Sequence, residues 1–242
     1  MLRAPGVYKP QTDTELLLQA ALAEELPVNA EVLDLCTGTA RVAIGLAQSR
    51  PVQMTAVDVS RRAVWAARLN ARRQETPVEV RHGDLFQPVA DRRFDLILAN
   101  PPYVPSPRAG VPHTAGVAWN AGADGRDLVN RICAQAAEHL TPTGVLLIVH
   151  SGLCLPRQTA QDLQRRGLSA GVVDRAFIPF GPVMRSRAAW LVREGLIDPD
   201  QGTEEVVVIR AQRALAATPV VTADSAHGDP AANETPRAVD AV

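Results

Sequence analysis

The chain has 242 residues, of which 46% are hydrophobic, and this predicts one domain with a full-sized core followed by a tail. Its formal net charge is −1 and no apolar run approaches membrane-spanning length, so we expect neither a sequence-independent grip on nucleic acid backbones nor a membrane association. The three cysteines, Cys36, Cys133 and Cys154, have the spacing of neither a disulfide framework nor a zinc site, which indicates a reducing, cytoplasmic compartment and no metal.

The first predicted element is a helix from about residue 12 to residue 25, with an apolar stripe of leucine and alanine. Thr12 or Asp13 is placed to cap this helix, because either side chain can accept a hydrogen bond from an N–H group of the first turn. We therefore assign residues 1–29 to an N-terminal helical segment and residues 30–213 to the main domain.

Two strand–turn–helix units follow, an arrangement typical of an open α/β sheet. The first strand, at residues 31–36, runs into a turn of small residues at 37–40, where Gly38 lets the backbone approach a ligand. The dinucleotide fingerprint of three spaced glycines is absent, which argues against NAD. The second strand ends at Asp58, whose carboxylate is placed to accept hydrogen bonds from ribose hydroxyls. Alternatively Asp58 caps the next helix, as Ser60 could also do.

A third strand, at residues 78–81, precedes a loop with Asp84 and Leu85, at the edge where open sheets bind ligands. The helix before this strand, at residues 61–73, carries several arginines. We interpret them as a solvated helix face rather than as a nucleic-acid patch.

The stretch that indicates the most specific chemistry is a short apolar strand at residues 94–99, followed by Asn100-Pro101-Pro102-Tyr103. A residue before proline is biased to extended geometry and prolines carry no N–H, so this corner presents acceptors and few donors. The side-chain oxygen of Asn100 and the carbonyl of Pro101 can then face one point and hold a planar –NH2 group, with Tyr103 as a flat face beside it. Asn-Pro alone also starts turns. The strand and the upstream motifs favour chemistry on an amide or exocyclic amino nitrogen.

The rest of the chain continues to alternate helices with strands. Helices are predicted at residues 127–140, 156–166 and 186–195, and strands at 145–150, 170–178 and 205–210. Residues 104–125 form a loop long enough to suggest a function, and residues 214–242 are predicted to be a disordered tail because they lack periodicity.

The order of these motifs resembles class I S-adenosylmethionine-dependent methyltransferases, and among them the HemK-type protein-(glutamine-N5) methyltransferases. Residues 7–213 carry the resemblance, through Pro10-Gln-Thr-Asp-Thr-Glu15, Val32-Leu-Asp-Leu-Cys-Thr-Gly38, Asn100-Pro-Pro-Tyr103 and Trp119-Asn-Ala-Gly-Ala-Asp-Gly125. The Asn-Pro-Pro-Tyr motif is shared with adenine-N6 methyltransferases, whereas the Pro-x-x-Asp-Thr segment narrows the match to the HemK type. The implied fold is an open, mostly parallel, Rossmann-like sheet of seven strands, with helices on both faces and an antiparallel last strand.

The resemblance also implies the cofactor, S-adenosylmethionine, and the residues that hold it. Asp34, Cys36 and Gly38 would line the methionine part, with Thr37 in the same turn. Asp58 would hold the ribose hydroxyls. The other predicted cofactor-binding residues are Asp84 and Leu85 for the adenine, Thr14 from the N-terminal segment, and Asn100, which would contact both cofactor and substrate.

The predicted chemistry is methylation of an amide nitrogen, with Asn100 as the catalytic residue. An amide nitrogen is a poor nucleophile because its lone pair is delocalised. Two acceptors on its N–H groups favour partial pyramidalisation, so positioning and preorganised electrostatics can carry catalysis without a strong base. The predicted substrate-binding residues are Asn100, Pro101, Pro102 and Tyr103. By the resemblance, the substrate would be the glutamine of the Gly-Gly-Gln tip of a peptide chain release factor.

Three departures from the family pattern bear on this interpretation. Ala40 replaces the last glycine of the glycine-rich turn, and we expect it to narrow the pocket. The helical domain that precedes this fold in bacterial release-factor methyltransferases is not recognised, which is typical of the short archaeal and eukaryotic form. That form works with a small zinc-binding activator, which would bind the outer sheet edge near residues 78–81. Residues 179–203 resemble an insertion that could cover the substrate mouth or replace the activator.

Other functions fit the sequence less well. An adenine-N6 methyltransferase of DNA or RNA would need base flipping and a basic groove, which neither the net charge nor a recognition segment supports. Another protein N-methyltransferase is a further alternative. A cofactor-binding module without catalysis would have no use for an intact Asn-Pro-Pro-Tyr motif.

Overall fold

The structure is a computed structural model that describes residues 1–107 and 121–213. Its strands are β1 (Ala30–Leu35), β2 (Val52–Asp58), β3 (Val78–His82), β4 (Phe94–Ala99), β5 (Leu140–Ser151), β6 (Leu168–Pro179) and β7 (Thr203–Arg213). Its helices are α1 (Thr12–Ala23), α2 (Arg41–Ser49), α3 (Arg61–Arg73), α4 (Asp127–His139), α5 (Pro156–Gln164) and α6 (Pro182–Arg193). Within the described ranges, none of the helices has the length and apolar character needed to span a bilayer.

The strands form a sheet in the order β3-β2-β1-β4-β5-β7-β6. Neighbours from β3 to β5 are parallel, whereas β7 is antiparallel to both β5 and β6. The predicted fold class, including the antiparallel last strand, is confirmed. The strand order reverses between β1 and β4, and open α/β sheets bind ligands beyond the carboxyl ends of the strands at such a point.

Apolar side chains cover both faces of this sheet. Helices α1, α2 and α3 pack on one face, where Val32 and Leu96 are buried, and α4 and α5 pack on the other, where Leu33 and Ile97 are buried. Successive residues of a strand point to opposite faces, so a strand buried on both sides must be apolar at consecutive positions. This burial holds the strand ends, and the polar residues that follow them, in fixed positions.

Several boundaries differ from the sequence-based predictions. Helix α6 begins at Pro182 rather than near residue 186, because proline suits the first turn of a helix. Strand β5 begins at Leu140 rather than near residue 145. The Thr141 hydroxyl donates to the Asp95 carboxylate of β4 at 2.9 Å, which fixes the first residues of β5 beside that strand. The predicted tail at 214–242, and Trp119 within the predicted loop, lie outside the described residues.

Candidate active site

A cavity of about 550 Å³ opens at the carboxyl ends of β1, β2 and β4. Every site residue predicted from the sequence lines this cavity: Thr14, Asp34, Cys36, Thr37, Gly38, Asp58, Asp84, Leu85, Asn100, Pro101, Pro102 and Tyr103. The N-terminal segment ahead of α1 forms another part of the wall. The Asn70 side chain ties this segment down, because it bonds both the N–H and the carbonyl of Leu2, at 2.7 and 2.8 Å.

The carboxylate of Asp58 fixes the turn that follows β1. Its Oδ2 accepts a hydrogen bond from the Gly38 N–H at 2.9 Å, and its Oδ1 accepts one from the Ser60 N–H at 2.8 Å. The capping alternative for Asp58 is wrong, because Ser60 is the N-cap of α3 and accepts from the Ala63 N–H at 3.4 Å. A carboxylate has about four lone-pair sites, so both oxygens of Asp58 can accept a further hydrogen bond from a ligand.

The turn between β1 and α2 places backbone rather than side chains against the cavity. Gly38 has φ +57°, and a Cβ built there meets no protein atom within 4 Å, so it would take up cavity space. Ala40 also adopts a left-handed conformation, with φ 62°, but its side chain is buried in the core and does not line the cavity. The expectation that Ala40 narrows the pocket is therefore wrong.

Asp34 and Cys36 form a buried wall behind this turn. The Thr37 hydroxyl donates to Asp34 Oδ2 at 2.5 Å. Burial raises the pKa of Asp34 to about 7, the Thr37 and Ala43 hydrogen bonds oppose this shift, and the Asp58 carboxylate adds to it. Burial also raises the pKa of the Cys36 thiol well above its usual value, so Cys36 is a neutral wall residue.

Asp84 and Leu85 form another part of the cavity wall, in the loop after β3. The carboxylate of Asp84 accepts a hydrogen bond from Arg131 of α4 at 2.6 Å, in a half-exposed ion pair. Leu85 is buried and has φ 48°, a conformation that is strained for leucine. Strained backbone of this kind is often found at ligand sites, and here it turns the loop back toward the cavity.

Asp13 is the central polar residue of the site, and the sequence did not point to this role. The capping prediction is wrong, since Gln11 is the N-cap of α1 and makes no side-chain cap bond. The carboxylate of Asp13 is buried and accepts hydrogen bonds from the hydroxyls of Tyr8, at 2.8 Å, and Tyr103, at 2.9 Å. A signal was available, because Asp13 lies four residues before the buried Leu17 and hence on the apolar face of α1.

The same carboxylate orients the amide of Asn100. Asn100 Nδ2 lies 3.2 Å from Asp13 Oδ2 and 3.5 Å from the Thr14 hydroxyl. An ionised carboxylate only accepts hydrogen bonds, so the nitrogen of the Asn100 amide must face it. Oδ1 of Asn100 is thereby left as the acceptor for a ligand, as the sequence-based hypothesis requires.

Hydrogen bonds hold both the side-chain hydroxyl and the backbone carbonyl of Tyr103. Burial raises the pKa of Tyr103 well above its usual value, and the nearby Asp13 carboxylate adds to this, so the hydroxyl stays a donor. The Cys154 thiol donates to the Tyr103 carbonyl at 3.0 Å. A Cβ on Gly125, which has φ +74°, would lie 2.4 Å from that carbonyl oxygen. Because Gly125 has no Cβ, the chain that leads into α4 can pass directly over Tyr103.

The predicted insertion at residues 179–203 contains α6, whose first turn forms part of the cavity rim. Gly181 to Met184 line the cavity, and Arg187 donates to the carbonyls of Val104 and Pro105 at 3.1 and 2.9 Å. This segment is thus fastened to the chain that leaves β4. Glu204, just after the insertion, also lines the cavity and was not identified from the sequence.

Comparison with known proteins gives a family and a fold. The sequence model of the family described as methyltransferase small domain matches residues 2–162. A putative protein N5-glutamine methyltransferase of Methanocaldococcus jannaschii is 30% identical over 181 residues, which cover 74% of this chain and 90% of that protein. The release factor glutamine methyltransferase of Geobacter sulfurreducens is 37% identical over 151 residues, 60% of this chain and 53% of that protein, so the match spans about half of its length.

Among solved structures, the E. cuniculi Mtq2–Trm112 complex, responsible for the methylation of the eRF1 translation termination factor, contains a chain of the same fold. It aligns with a TM-score of 0.59 at 21% identity, covering 86% of this chain and 99% of that chain. At this identity the likeness concerns the fold alone.

Proposed function

Because this chain belongs to the methyltransferase small domain family, we propose that it transfers a methyl group from S-adenosylmethionine to the side-chain amide of a glutamine in a protein. The observation that carries the proposal is the orientation of Asn100, whose Nδ2 is held by Asp13 so that Oδ1 remains an acceptor. An acceptor fixed in this way suits a primary amide, which presents two N–H donors in one plane. The names of the two relatives support glutamine as the target.

The cavity residues fit S-adenosylmethionine. The ligand carries a positively charged sulfur and a ribose, and the cavity offers the carboxylates of Asp34 and Asp58 together with the open space at Gly38. S-adenosylmethionine supplies the electrophilic methyl group. Asp58 would accept from the ribose hydroxyls, and Thr14 and the residues ahead of α1 would close the site from the N-terminal side.

The substrate amide would lie between the acceptors of the Asn-Pro-Pro-Tyr corner. Oδ1 of Asn100 and the carbonyl of Pro101 would each accept one N–H of the target amide, which directs its lone pair out of the amide plane toward the methyl group. The ring of Tyr103 would pack beside the amide. The hydrogen bond from Asn100 to Asp13 prevents the acceptor from rotating away during the reaction, so the site is preorganised for the transition state.

We propose the Gly-Gly-Gln tip of a peptide chain release factor as the substrate. A cavity whose rim includes the first turn of α6 favours an exposed loop tip over a folded surface. The three cysteines are unpaired, which fits a cytoplasmic protein acting on a translation factor. The rival, adenine-N6 methylation, uses the same corner motif but would require a basic groove for nucleic acid.

The test of this function uses labelled S-adenosylmethionine with a release factor and, separately, with duplex and single-stranded DNA. Label on the release factor that is lost when the glutamine of its Gly-Gly-Gln tip is replaced by alanine is the expected result. If label entered only nucleic acid, the protein would be an adenine-N6 methyltransferase and the proposed function would be wrong.

A small activator subunit is the proposed partner, at the outer edge of β3. The Mtq2–Trm112 complex is a two-protein assembly in which one chain has the fold seen here. At this edge Glu79 pairs with Arg81 and Arg92, a charged arrangement that protects a strand edge when no partner is present. Robust activity of the purified chain alone would instead favour the insertion at residues 179–203 as a substitute for the activator.

Replacing Asp58 by alanine should weaken S-adenosylmethionine binding by about 2 kcal/mol, roughly thirtyfold, as expected for lost hydrogen bonds to a charged group. Isothermal titration calorimetry measures this directly. The matched control is Asp91→Ala, which removes an exposed carboxylate that does not line the cavity. If the wild type and Asp58→Ala bound S-adenosylmethionine with equal affinity, Asp58 would not contact the cofactor.

The affinity for S-adenosylmethionine should fall as the pH is lowered from 8 to 6. Burial raises the pKa of Asp34 to about 7, so its carboxyl becomes neutral over this range and no longer attracts a cationic ligand. Asp34→Asn should bind weakly at both pH values and show a flatter profile. Because the raised pKa makes the ionised form costly in the folded state, the ligand-free Asp34→Asn variant should also melt at a higher temperature at pH 8.

A further inference from the structure

Glu204 lies at the beginning of β7, opposite Ile178 of β6. Strand β7 runs antiparallel to β5, so its first residues lie at the sheet edge where β4 and β5 end. In the strand order, β5 separates β7 from β4, and the register places Glu204 four residues beyond the level of Asn100. Two inter-strand spacings and this offset along the strands put the two backbones about 16 Å apart. Both residues line the same cavity.

The carboxyl group of Glu204 is buried and incompletely bonded. Glu204 is 5% exposed, and within the described residues its Oε2 has no hydrogen-bond partner. Burial raises the pKa of Glu204, hydrogen bonding from Ser151 opposes this, and the Asp13 carboxylate raises it further. The neighbouring Glu205 is different, since it forms an ion pair with Arg175 at 2.9 Å on the surface.

An unsatisfied buried oxygen costs free energy, and native proteins retain few of them. A buried apolar side chain would avoid this cost at the same place. The terminal torsion of glutamate is soft, so either oxygen of Glu204 can turn to the cavity without moving β7. An acceptor in the cavity wall that lacks a donor in the free protein is suited to a donor brought by a ligand.

We propose that Glu204 is a substrate-positioning residue that accepts a hydrogen bond from the backbone N–H of the target glutamine. The inference rests on the proposed function. In an extended glutamine the backbone nitrogen lies about 6 Å from the side-chain amide, and a hydrogen bond of about 3 Å at each end gives a span of about 12 Å. The backbones of Asn100 and Glu204 are further apart than this span, but both side chains extend into the cavity, so their terminal oxygens are closer together than the backbones and compatible with it. Asn100 would therefore hold the amide while Glu204 holds the main chain of the same residue.

Two anchors on one residue explain how a site without a strong base could align a poor nucleophile. The amide end alone can pivot about the side-chain torsions of glutamine. A second bond to the main chain removes that freedom before the reaction, which is the usual source of rate enhancement by orientation.

The test compares Glu204→Gln with Glu205→Gln, using a release factor with an intact Gly-Gly-Gln tip. We expect Glu204→Gln to raise KM for the protein about tenfold, as for a weakened hydrogen bond to a charged group, with S-adenosylmethionine affinity within about twofold of wild type. Glu205→Gln should leave both values unchanged. An active wild type whose KM is unaltered by Glu204→Gln would overturn this inference alone, whereas a wild type that methylates no protein would overturn the proposed function with it.

A substrate analogue identifies the donor. In a Gly-Gly-Gln peptide whose glutamine N–H is replaced by an ester oxygen, the wild type should lose about tenfold in kcat/KM, and Glu204→Gln, whose bond to that N–H is already weakened, should lose clearly less. Additive losses would show that Glu204 acts elsewhere. If Glu204→Gln changed the melting temperature but had wild-type kinetics on both the amide and the ester peptide, Glu204 would have a purely structural role and the proposal would be wrong.

Discussion

Asn100→Ala should lower kcat by about a hundredfold or more, because it removes the preorganised acceptor that faces the reacting nitrogen. The loss should fall mainly on turnover, with a smaller loss of cofactor affinity, since Asn100 is also predicted to contact the cofactor but the carboxylates of Asp34 and Asp58 remain. The fold should also remain, because Asn100 is half-buried and, among the described residues, its amide bonds only Asp13 and Thr14. Single-turnover kinetics with labelled S-adenosylmethionine measure the chemical step directly.

The control for this variant is Gln87→Ala, which removes an exposed side-chain amide outside the cavity. It should retain wild-type turnover. If Asn100→Ala also retained wild-type turnover, the amide-clamp mechanism would be wrong, whatever the cofactor affinity.

Asp13→Asn should lower kcat by about a hundredfold, close to the loss in Asn100→Ala, although Asp13 touches no substrate in the proposed complex. The carboxylate accepts from Tyr8, Tyr103 and Asn100 together. An amide at position 13 has one acceptor oxygen and an NH2 group, so it cannot satisfy three donors. The Asn100 amide then loses the contact that fixes which of its atoms faces the substrate.

Two comparisons separate orientation from general damage to the site. Glu15→Gln changes a half-exposed carboxylate of the same helix, which pairs with Arg41, and should be nearly silent. Tyr103→Phe removes one donor to Asp13 but leaves the bond to Asn100, so it should cost less turnover than Asp13→Asn. Equal losses in Tyr103→Phe and Asp13→Asn would contradict the orienting role and assign the effect to the network as a whole.

The features that the sequence predicted well are local in the chain. Strand ends followed by polar or glycine residues identified Gly38, Asp58 and Asn100, because a parallel sheet brings its carboxyl ends to one edge whatever the details of packing. The fold class followed from the same alternation of strands and helices. Each of these predictions needed only the residues within one strand–turn–helix unit.

The features that the sequence missed depend on contacts between distant units. Asp13 was interpreted as a helix cap because capping is a local property, whereas its partners Asn100 and Tyr103 come from β4 and the corner after it. Glu204 enters the site only because β7 inserts antiparallel between β5 and β6. The early start of β5 likewise depends on the Asp95 side chain of another strand.

The bonds from Asp13 to Asn100 and Tyr103 join residues that are 87 and 90 positions apart in the chain. Contacts of such separation form late in folding, because a long loop must close before they contribute free energy. The strand–helix units from β1 to β4 can assemble from nearer neighbours. Recovery of catalysis after dilution from denaturant therefore reports the last docking step, and it should lag behind the recovery of helical and sheet signals.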